Sequence, residues 1–498
     1  MDAAQIVTTV NGPVRGTPST RAEEVTVYRG IPYAAAPFGE HRFAGPAPAP
    51  SWSEARDCSV FGPPPPQGTQ LIGAAHWDTD TSLGCLVLNV WTSASPDAEA
   101  PVLVWIHGGA YIVGSGAEGT YEGSHLAAEG TVVVSVNYRL GFEGFGHVPG
   151  RPDNRGLLDQ VAALRWVRDN IAAFGGDPRN VTIAGESAGA GSVVGLMAMP
   201  DARGLFHRVI AHSVPGDMIT IDTARRVSES VARAAGVPLA AEALAALTPE
   251  KVLAATDAVL EGSGTSSGGV RTKAFTCYAP VVGGPELPES PLEVIARGEV
   301  ADVDLLVGHN TEEYRLFTEL GQAVEIDGED ALAITATRLG LGEDAVGVYR
   351  SVHPDASLRG LFNEIRGDAM FCEYSVRLAE AQATAGGRAH FFRFAAQSRT
   401  MEGRLGACHA FDLPFAFGNL DSDLAVFLCD GEPDEGLRAL SARMVAAWRD
   451  FAATGDPGWP AVRPEATVVR VWDVTDSVRE GDDSPLRGLW SKVDFAPR

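Results

Sequence analysis

The chain has 498 residues, of which 45% are hydrophobic and 21% are charged. This ordinary globular composition allows a large buried core and excludes wholesale disorder. Lys and Arg number 39 against 64 Asp and Glu, which gives a net charge of −25. Because nucleic acids and anionic membranes bind basic surfaces, we expect neither as a partner of this chain.

No segment of the sequence predicts export or a membrane span. Residues 1–16 have neither the basic start nor the apolar stretch of a secretory signal. No apolar run reaches the roughly 20 residues that cross a bilayer. The six cysteines include no Cys-x-x-Cys pair, so we expect reduced thiols and no metal site. These features together predict a cytoplasmic protein. The sequence does not determine the oligomeric state, and a monomer is favoured.

The first half of the chain predicts strands that alternate with helices. A turn at 11–16 separates two early strands. Short apolar runs, typical of strands buried on both faces, occur at 86–91, 102–106, 131–136 and 181–184. Helical spacing of apolar residues occurs at 157–174 and 188–199. This alternation predicts a mostly parallel sheet with helices on both faces.

The second half continues the same α/β pattern. Residues 222–260 and 329–350 are rich in Ala and predict helices. The segment 262–269, rich in Gly and Ser, predicts a mobile surface loop. Further strands are expected at 305–308 and 390–394. Because no shift in composition marks a boundary, we expect a single domain over 1–498.

The strongest chemical motif is Gly-Glu-Ser-Ala-Gly at 185–189. A predicted strand ends before it and a predicted helix follows, which is the setting of a nucleophile elbow. Glycines are needed there because the turn is too tight for a Cβ on either side. The turn would place the Ser187 hydroxyl at a helix N-terminus, where the dipole favours negative charge. Ser187 is therefore the candidate nucleophile.

A second motif, His-Gly-Gly-Ala at 107–110, follows the strand predicted at 102–106. Its small residues would let a substrate oxygen approach the backbone closely. Backbone N–H groups of this loop, joined by the N–H of Ala188, could then stabilise an oxyanion. The chemistry belongs to the backbone, so we expect the His107 side chain only to order the turn.

The acid of a triad should come between the nucleophile and the histidine in the chain order of an α/β-hydrolase. It should also lie on a loop after a buried strand. Glu312 and Glu313 directly follow the strand predicted at 305–308. Sequence order alone does not choose between them.

The general base must then be His353, His390 or His409. His353 lies in a polar turn before Pro354, and His390 opens a predicted strand. His409 lies in a loop of small residues that leads into an apolar segment. A mobile base suits that loop best, so His409 is favoured while the other two remain alternatives.

The segment 174–189, FGGDPRNVTIAGESAG, closely resembles the serine signature of type-B carboxylesterases. That family includes the cholinesterases and the bacterial para-nitrobenzyl esterases. The resemblance extends over almost the whole chain, through the segments 29–34, 105–111, 137–141 and 409–420. It implies an α/β-hydrolase fold, with a central, mostly parallel sheet and helical insertions around an active-site gorge.

The resemblance also implies the site and its substrate class. The expected substrate is a small-molecule ester, and no cofactor or metal is expected. Of the two adjacent glutamates, the resemblance selects the second. The implied site residues are the nucleophile Ser187, the base His409, the acid Glu313, and the oxyanion-hole N–H groups of Gly109, Ala110 and Ala188.

Three departures from the family pattern are visible. Leu-Gly-Cys-Leu at 83–86 stands where the family usually has Glu-Asp-Cys-Leu, so a buried acidic pair is missing. Pro65 stands where many members have the disulfide partner of Cys85, which leaves a substitute bridge to Cys58 as an open alternative. Tyr314 replaces the Gly after the acid, where a side chain could reshape the loop of Glu313.

These residues predict a serine carboxylesterase that works through an acyl-enzyme. Amide or carbamate cleavage by the same triad is the alternative, and a non-catalytic binding protein on the same fold is a third hypothesis. Phe317 and Phe371 are either walls of the substrate pocket or core aromatics. Glu186 either attracts cationic alcohol groups or accepts a structural hydrogen bond.

Overall fold

The structure is a computed structural model that describes residues 5–68, 74–78, 82–262, 265–267, 270–272, 276–321, 325–481 and 485–498. Its strands are β1 Ile6–Thr9, β2 Gly12–Arg15, β3 Thr17–Pro18, β4 Thr26–Pro32, β5 Arg56–Asp57, β6 Val87–Thr92, β7 Ala100–Ile106, β8 Val132–Val136, β9 Gly176–Glu186, β10 Arg208–His212, β11 Ile219–Thr220, β12 Thr265–Ser267, β13 Val270–Thr272, β14 Val281–Val282, β15 Asp304–Asn310, β16 Glu325–Ile326, β17 Ala389–Phe394, β18 Val468–Trp472 and β19 Ser477–Glu480.

The α-helices are α1 Ser124–Ala128, α2 Gly141–Phe145, α3 Arg155–Asn170, α4 Ala188–Ala198, α5 Ile221–Ala234, α6 Ala241–Ala245, α7 Pro249–Gly262, α8 Pro291–Ala296, α9 Glu329–Arg338, α10 Ala345–Val352, α11 Leu358–Gly367, α12 Glu373–Thr384, α13 Leu413–Phe417, α14 Asp423–Cys429, α15 Glu435–Thr454 and α16 Pro485–Trp490.

An eleven-stranded sheet organises the molecule, in the order β19-β18-β17-β15-β10-β9-β7-β8-β6-β4-β3. All pairings from β18 to β8 are parallel, and the pairings at both ends are antiparallel. Successive residues of β7 belong to different hydrophobic clusters, Val104 to one and Trp105 to the other. Because alternate side chains point to opposite faces, the sheet has a core on each face. This is the predicted α/β-hydrolase architecture.

The parallel register brings four strand ends to one edge of the sheet. Ile106, the last residue of β7, is opposite Gly185 on β9. His212, the last residue of β10, is opposite Glu186 on β9 and Gly308 on β15. The loops that follow these strands therefore lie side by side at the carboxyl edge, where α/β folds place their sites.

Several predicted elements have different ends in the structure. β9 begins at Gly176, earlier than the predicted 181–184. The predicted helix at 157–174 is α3, continued by a 3₁₀ turn over Ile171–Phe174. The expected turn at 11–16 is wrong, since β2 already begins at Gly12. For β2 and β9, the prediction underestimated how far pairing with neighbouring strands extends a strand.

The long helical predictions are wrong in detail, and a glycine accounts for one break in each segment. The segment 222–260 forms three helices, and Gly236 after the first has φ of 74°. The segment 329–350 forms α9 and α10, and Gly340 between them has φ of 88°. A residue in this left-handed region ends a helix, and glycine adopts it most readily.

The glycine- and serine-rich segment 262–269 also differs from its prediction. Residues 265–267 are not loop but strand β12, which pairs in antiparallel fashion with β13. Residues 263–264 and 268–269 lie outside the described residues. Within the part of the chain that the structure describes, no helix is both long and apolar enough to cross a membrane.

The departures around 83–86 have local consequences. Cys58 and Cys85 are both buried free thiols, so the alternative of a bridge between them is not formed. The buried Arg42 is held by a carboxylate from another part of the chain. Both Nε and Nη2 of Arg42 donate hydrogen bonds to the carboxylate of Glu143, and Nη2 lies 2.5 Å from Oε1. Glu143 belongs to helix α2, so this contact joins the segment before β5 to that helix.

Candidate active site

Ser187 sits in a strained turn between β9 and α4. Its φ is 55° and its ψ is −124°, a combination that side chains other than glycine rarely adopt. Ser187 is half-buried, whereas every other residue from 181 to 199 is buried. A Cβ on Gly189 would lie 2.0 Å from the carbonyl oxygen of Ile106. The glycines therefore allow the tight turn that brings the Ser187 hydroxyl toward solvent.

The 107–110 loop lies directly against this turn. A Cβ on Gly108 would come within 2.7 Å of Glu186 Oε2 and 3.3 Å of the Cβ of Ser187. Gly109 has φ of 102° and Ala110 has φ of 54°, so both residues are in the left-handed region. The Gly109 carbonyl accepts a hydrogen bond from Val113 and so fixes the loop.

Three N–H groups are available beside Ser187. Those of Gly109 and Ala110 donate to no protein acceptor among the described residues. Ala188 is the first residue of α4, so its N–H has no acceptor within the helix. These are the three groups that the sequence predicted as oxyanion donors.

His409 and Glu313 come together from loops 96 residues apart. Nδ1 of His409 lies 2.5 Å from Oε2 of Glu313, and both side chains are almost fully buried. The main chains of the two residues are also joined, because the His409 N–H donates to the Glu313 carbonyl. The carboxylate thus fixes the orientation of the imidazole ring.

Glu313 is held by two further donors. The Ser213 hydroxyl donates to Oε1 at 2.5 Å, and the Asn310 N–H donates to the same oxygen at 2.7 Å. Burial raises the pKa of Glu313, and His409, Ser213 and Asn310 reduce that rise. The carboxylate is therefore pre-oriented from both sides before any substrate binds.

The other nitrogen of His409 faces a second carboxylate. Nε2 lies 2.9 Å from Oε1 of Glu186, yet neither atom has an aligned hydrogen-bond partner among the described residues. Burial alone would lower the pKa of His409, but Glu186 and Glu313 outweigh it and raise the pKa to about 10. Nε2 is thus buried, and its contact is a charge contact with the residue that precedes Ser187 and not an aligned hydrogen bond.

Aromatic rings enclose the imidazole. Phe371 stacks on His409 with ring centroids 4.3 Å apart, and Phe317 lies at 5.2 Å. Both phenylalanines are therefore packed on this imidazole ring. Tyr314 is 2% exposed and packs against Phe317 and Phe362. The extra side chain at 314 leaves Glu313 in contact with His409.

The alternative candidates lie elsewhere. Oε2 of Glu312 accepts the Ala407 N–H at 2.8 Å and so braces the loop that carries His409. His353 follows the end of α10. His390 is in β17 and packs against Phe451 and Trp459. Of the residues left open by sequence order, only Glu313 and His409 meet.

Sequence reasoning missed Ser213, although its position contained a signal. It follows β10 directly, at the same sheet edge as Ser187, and its φ is 54°. A polar residue after a buried strand at this edge was worth considering for that reason alone.

Sequence reasoning also missed a second buried histidine–carboxylate pair, in which Nδ1 of His212 lies 2.5 Å from Oδ2 of Asp412. Within the described residues, no group of three or more His, Cys, Asp or Glu side chains is arranged to hold a metal ion.

The sheet order and the elements at its carboxyl edge define an α/β-hydrolase. The family model for the carboxylesterase family matches residues 3–480. The chain belongs to the carboxylesterase family, and its class is that of the carboxylic ester hydrolases.

Individual relatives agree with this assignment. Para-nitrobenzyl esterase of Bacillus subtilis (strain 168) is 34% identical, over 97% of this chain and 98% of that protein. Human carboxylesterase 3 is 33% identical, over 88% of this chain and 81% of that protein. The crystal structure of a Geobacillus stearothermophilus carboxylesterase is similar with a TM-score of 0.85 and 34% identity, covering 97% of this chain and 99% of that one.

Proposed function

We propose that the chain hydrolyses carboxylic esters through a Ser187–His409–Glu313 triad and an acyl-enzyme intermediate. The observation that carries this proposal is the arrangement of His409. Its Nδ1 is fixed by Glu313 at 2.5 Å, while its Nε2 is left without an aligned partner beside the Ser187 turn. A general base needs this division between an orienting nitrogen and a reacting nitrogen.

Acylation would begin at Ser187. Its Oγ attacks the ester carbonyl carbon while Nε2 of His409 takes the hydroxyl proton. The carbonyl oxygen becomes an anion, and the N–H groups of Gly109, Ala110 and Ala188 are placed to donate to it. Because such donors are fixed before the charge develops, each contributes on the order of 3–4 kcal/mol to the transition state.

The proton then leaves with the alcohol. His409 protonates the departing alkoxide as the carbon–oxygen bond breaks, which leaves Ser187 acylated. Water repeats the attack with His409 as base, and the carboxylic acid departs as the proton returns to Ser187. Glu313 stabilises the imidazolium at both stages while remaining ionised, since its oxygens accept from His409, Ser213 and Asn310.

The surroundings of the base favour an uncharged, partly apolar ester. Phe317 and Phe371 cover the imidazole, so a substrate that reaches Nε2 passes an aromatic surface. Glu186 places negative charge at the same point, which disfavours an anionic group beside the scissile bond. We therefore propose neutral short- and medium-chain esters as substrates.

The test compares wild type with Ser187→Ala on para-nitrophenyl acetate, butyrate and octanoate. We expect turnover by wild type and a loss of about 10⁴-fold or more in Ser187→Ala, as for other triad nucleophiles. Ser351→Ala is the matched control, because Ser351 is an exposed serine on α10. Labelling by a fluorophosphonate should occur in wild type and the control and be absent in Ser187→Ala.

The outcomes separate the alternatives. Turnover that survives in Ser187→Ala would overturn the proposed nucleophile. Labelling of Ser187 without turnover of any ester would mean a live nucleophile with another substrate class, for which matched para-nitroanilides and carbamates are the next probes. The absence of both labelling and turnover would favour a non-catalytic binding protein on this fold.

A further inference from the structure

Tyr314 is the side chain that this chain has where the family pattern has a glycine after the acid. It is buried, with 2% of its surface exposed, and belongs to the same hydrophobic cluster as Phe362 of α11. Its ring centroid lies 5.8 Å from that of Phe362, in an edge-on contact, and 5.3 Å from that of Phe317. Tyr314 therefore joins helix α11 to Phe317 through packed rings.

A second side chain of α11 also holds the Tyr314 ring. The guanidinium carbon of Arg366 lies 5.1 Å from the ring centroid, and Nη2 of Arg366 donates to the Tyr314 hydroxyl at 3.5 Å. Phe362 and Arg366 are four residues apart, so they lie on one face of the helix. The cation adds its attraction for the ring to the packing by Phe362. The helix thus fixes the position of the tyrosine.

Phe317 lies in the turn that Tyr314 begins. The Tyr314 carbonyl accepts hydrogen bonds from the N–H groups of Phe317 and Thr318, at 3.2 and 3.3 Å. A π-helical turn over Phe317–Gly321 follows, a rare conformation that is frequent at functional sites. The Thr318 hydroxyl donates to Oδ1 of Asn363 on α11 at 3.0 Å. The backbone of this turn is thus anchored to the helix that also holds the Tyr314 ring.

Phe317 forms the accessible part of the aromatic wall beside the base. Its ring lies 5.2 Å from that of His409 and stacks with that of Phe371 at 6.0 Å. Phe371 is buried, whereas Phe317 is half-buried. A substrate that approaches His409 therefore meets Phe317 first. Any shift of the Phe317 ring would change the size of the space beside the base.

We propose that Tyr314 determines specificity by holding Phe317 against the base, which limits the length of the hydrocarbon chain that an ester can place there. Tyr314 contacts no reacting atom, so it is a positioning residue that acts through Phe317. A smaller residue at 314 would leave a void behind the Phe317 ring, and neighbouring side chains relax toward such a void. The space beside His409 would then grow. This inference rests on the proposed function, since it concerns the substrates of the same site.

The main test is the ratio of kcat/KM for para-nitrophenyl octanoate to that for the butyrate. Tyr314→Ala should raise this ratio by about tenfold or more, since admitting a further methylene into an apolar pocket changes kcat/KM by that factor. Tyr314→Phe keeps the ring and should keep the wild-type ratio. Leu332→Ala is the matched control, because Leu332 is a fully buried member of the same cluster on α9. It should lower stability without changing the ratio, as a merely structural role of Tyr314 would also do.

A double-mutant cycle tests whether Tyr314 acts through Phe317. Phe317→Ala alone should raise the ratio, and Tyr314→Ala added to it should change the ratio no further. The same comparison with octyl and ethyl acetate varies the alcohol, and the series that responds identifies which chain of the ester lies against Phe317. If Tyr314→Ala does not fold, as judged by near-ultraviolet circular dichroism, Tyr314→Leu keeps more volume and should give a smaller rise.

A binding measurement separates this inference from the proposed function. Isothermal titration of Ser187→Ala with ethyl octanoate and ethyl butyrate needs no turnover, and adding Tyr314→Ala should tighten octanoate binding about tenfold relative to butyrate. If wild type hydrolyses no ester but this binding ratio shifts, the proposed function fails and the role of Tyr314 stands.

Two results would overturn the role of Tyr314 while leaving ester hydrolysis in place. One is a ratio that Tyr314→Ala changes neither in the two ester series nor in binding. The other is full additivity of Tyr314→Ala and Phe317→Ala, because Tyr314 would then not act through Phe317.

Discussion

Two buried histidine–carboxylate pairs lie at the same end of the sheet. His409 contacts Glu313 and His212 contacts Asp412, each through Nδ1 and each at 2.5 Å. They differ at the other ring nitrogen. Nε2 of His212 accepts the indole N–H of Trp448 at 2.9 Å, whereas Nε2 of His409 has no aligned partner.

The indole fixes the chemistry of His212. Because an indole N–H only donates, Nε2 must be unprotonated and Nδ1 must carry the hydrogen toward Asp412. Burial would raise the pKa of Asp412, but His212 and Asn310 outweigh it and lower the pKa. Both nitrogens of His212 are committed to the structure. The comparison teaches that a histidine–carboxylate contact does not define a catalytic base; the partner of the second nitrogen does.

The largest expected effect comes from His409→Asn. Without the imidazole, nothing accepts the Ser187 proton, so kcat on para-nitrophenyl butyrate should fall by about 10⁴-fold or more. The urea midpoint of unfolding should also fall, because Oε2 of Glu313 loses its buried partner and Phe371 loses the ring on which it stacks. Stopped-flow and steady-state rates measure the first effect, and urea unfolding followed by tryptophan fluorescence measures the second.

His212→Asn should lower stability while leaving the chemical step in place. It removes a ring packed against Trp105, Phe392 and Trp448, and leaves the indole N–H of Trp448 buried without its acceptor. We expect a loss of about 2–4 kcal/mol in stability, seen as a lower urea midpoint. At a temperature where the variant is folded, kcat should stay within about tenfold of wild type. A loss of kcat as large as that of His409→Asn would mean that the two pairs act together.

The smallest effect concerns pH. Because His409 must be neutral to accept a proton, activity should fall as pH decreases through its pKa, which Glu186 and Glu313 hold above the ordinary 6.5. Glu186→Gln removes one of these charges, so the acid limb of kcat/KM should move to lower pH by about one to three units. The pH–rate profile of an uncharged ester measures this. Asp434→Asn, at the N-cap of α15, is the control and should leave the limb in place.

Much of the fold follows from local pattern. The β-branched runs at β7 and β8 and the Gly-rich turn at Ser187 are contiguous in sequence, so their structure could be predicted without knowing the rest. Helix limits were harder because single glycines such as Gly236 and Gly340 decide them through backbone conformation. The spacing of apolar residues does not show where a glycine adopts the left-handed conformation that ends a helix.

The site was predictable only where one segment determines it. The order of Ser187, Glu313 and His409 follows from motif and resemblance, but the choice of Glu313 over Glu312 did not follow from the residues alone. Ser213 reaches Glu313 across 100 residues, and His212 reaches Asp412 across 200. Neither contact has a local signature, because each arises when separate strands end at one sheet edge.

The backbone conformation of Ser187 has a consequence for the history of such a site. At φ of 55° and ψ of −124°, any residue with a side chain carries a strain of about 1–3 kcal/mol that glycine largely avoids. Selection for stability alone would therefore favour glycine at this position. Serine is retained at position 187 only while its hydroxyl is useful. A lineage that no longer needs the reaction would therefore tend to acquire glycine there and become a more stable, inactive protein.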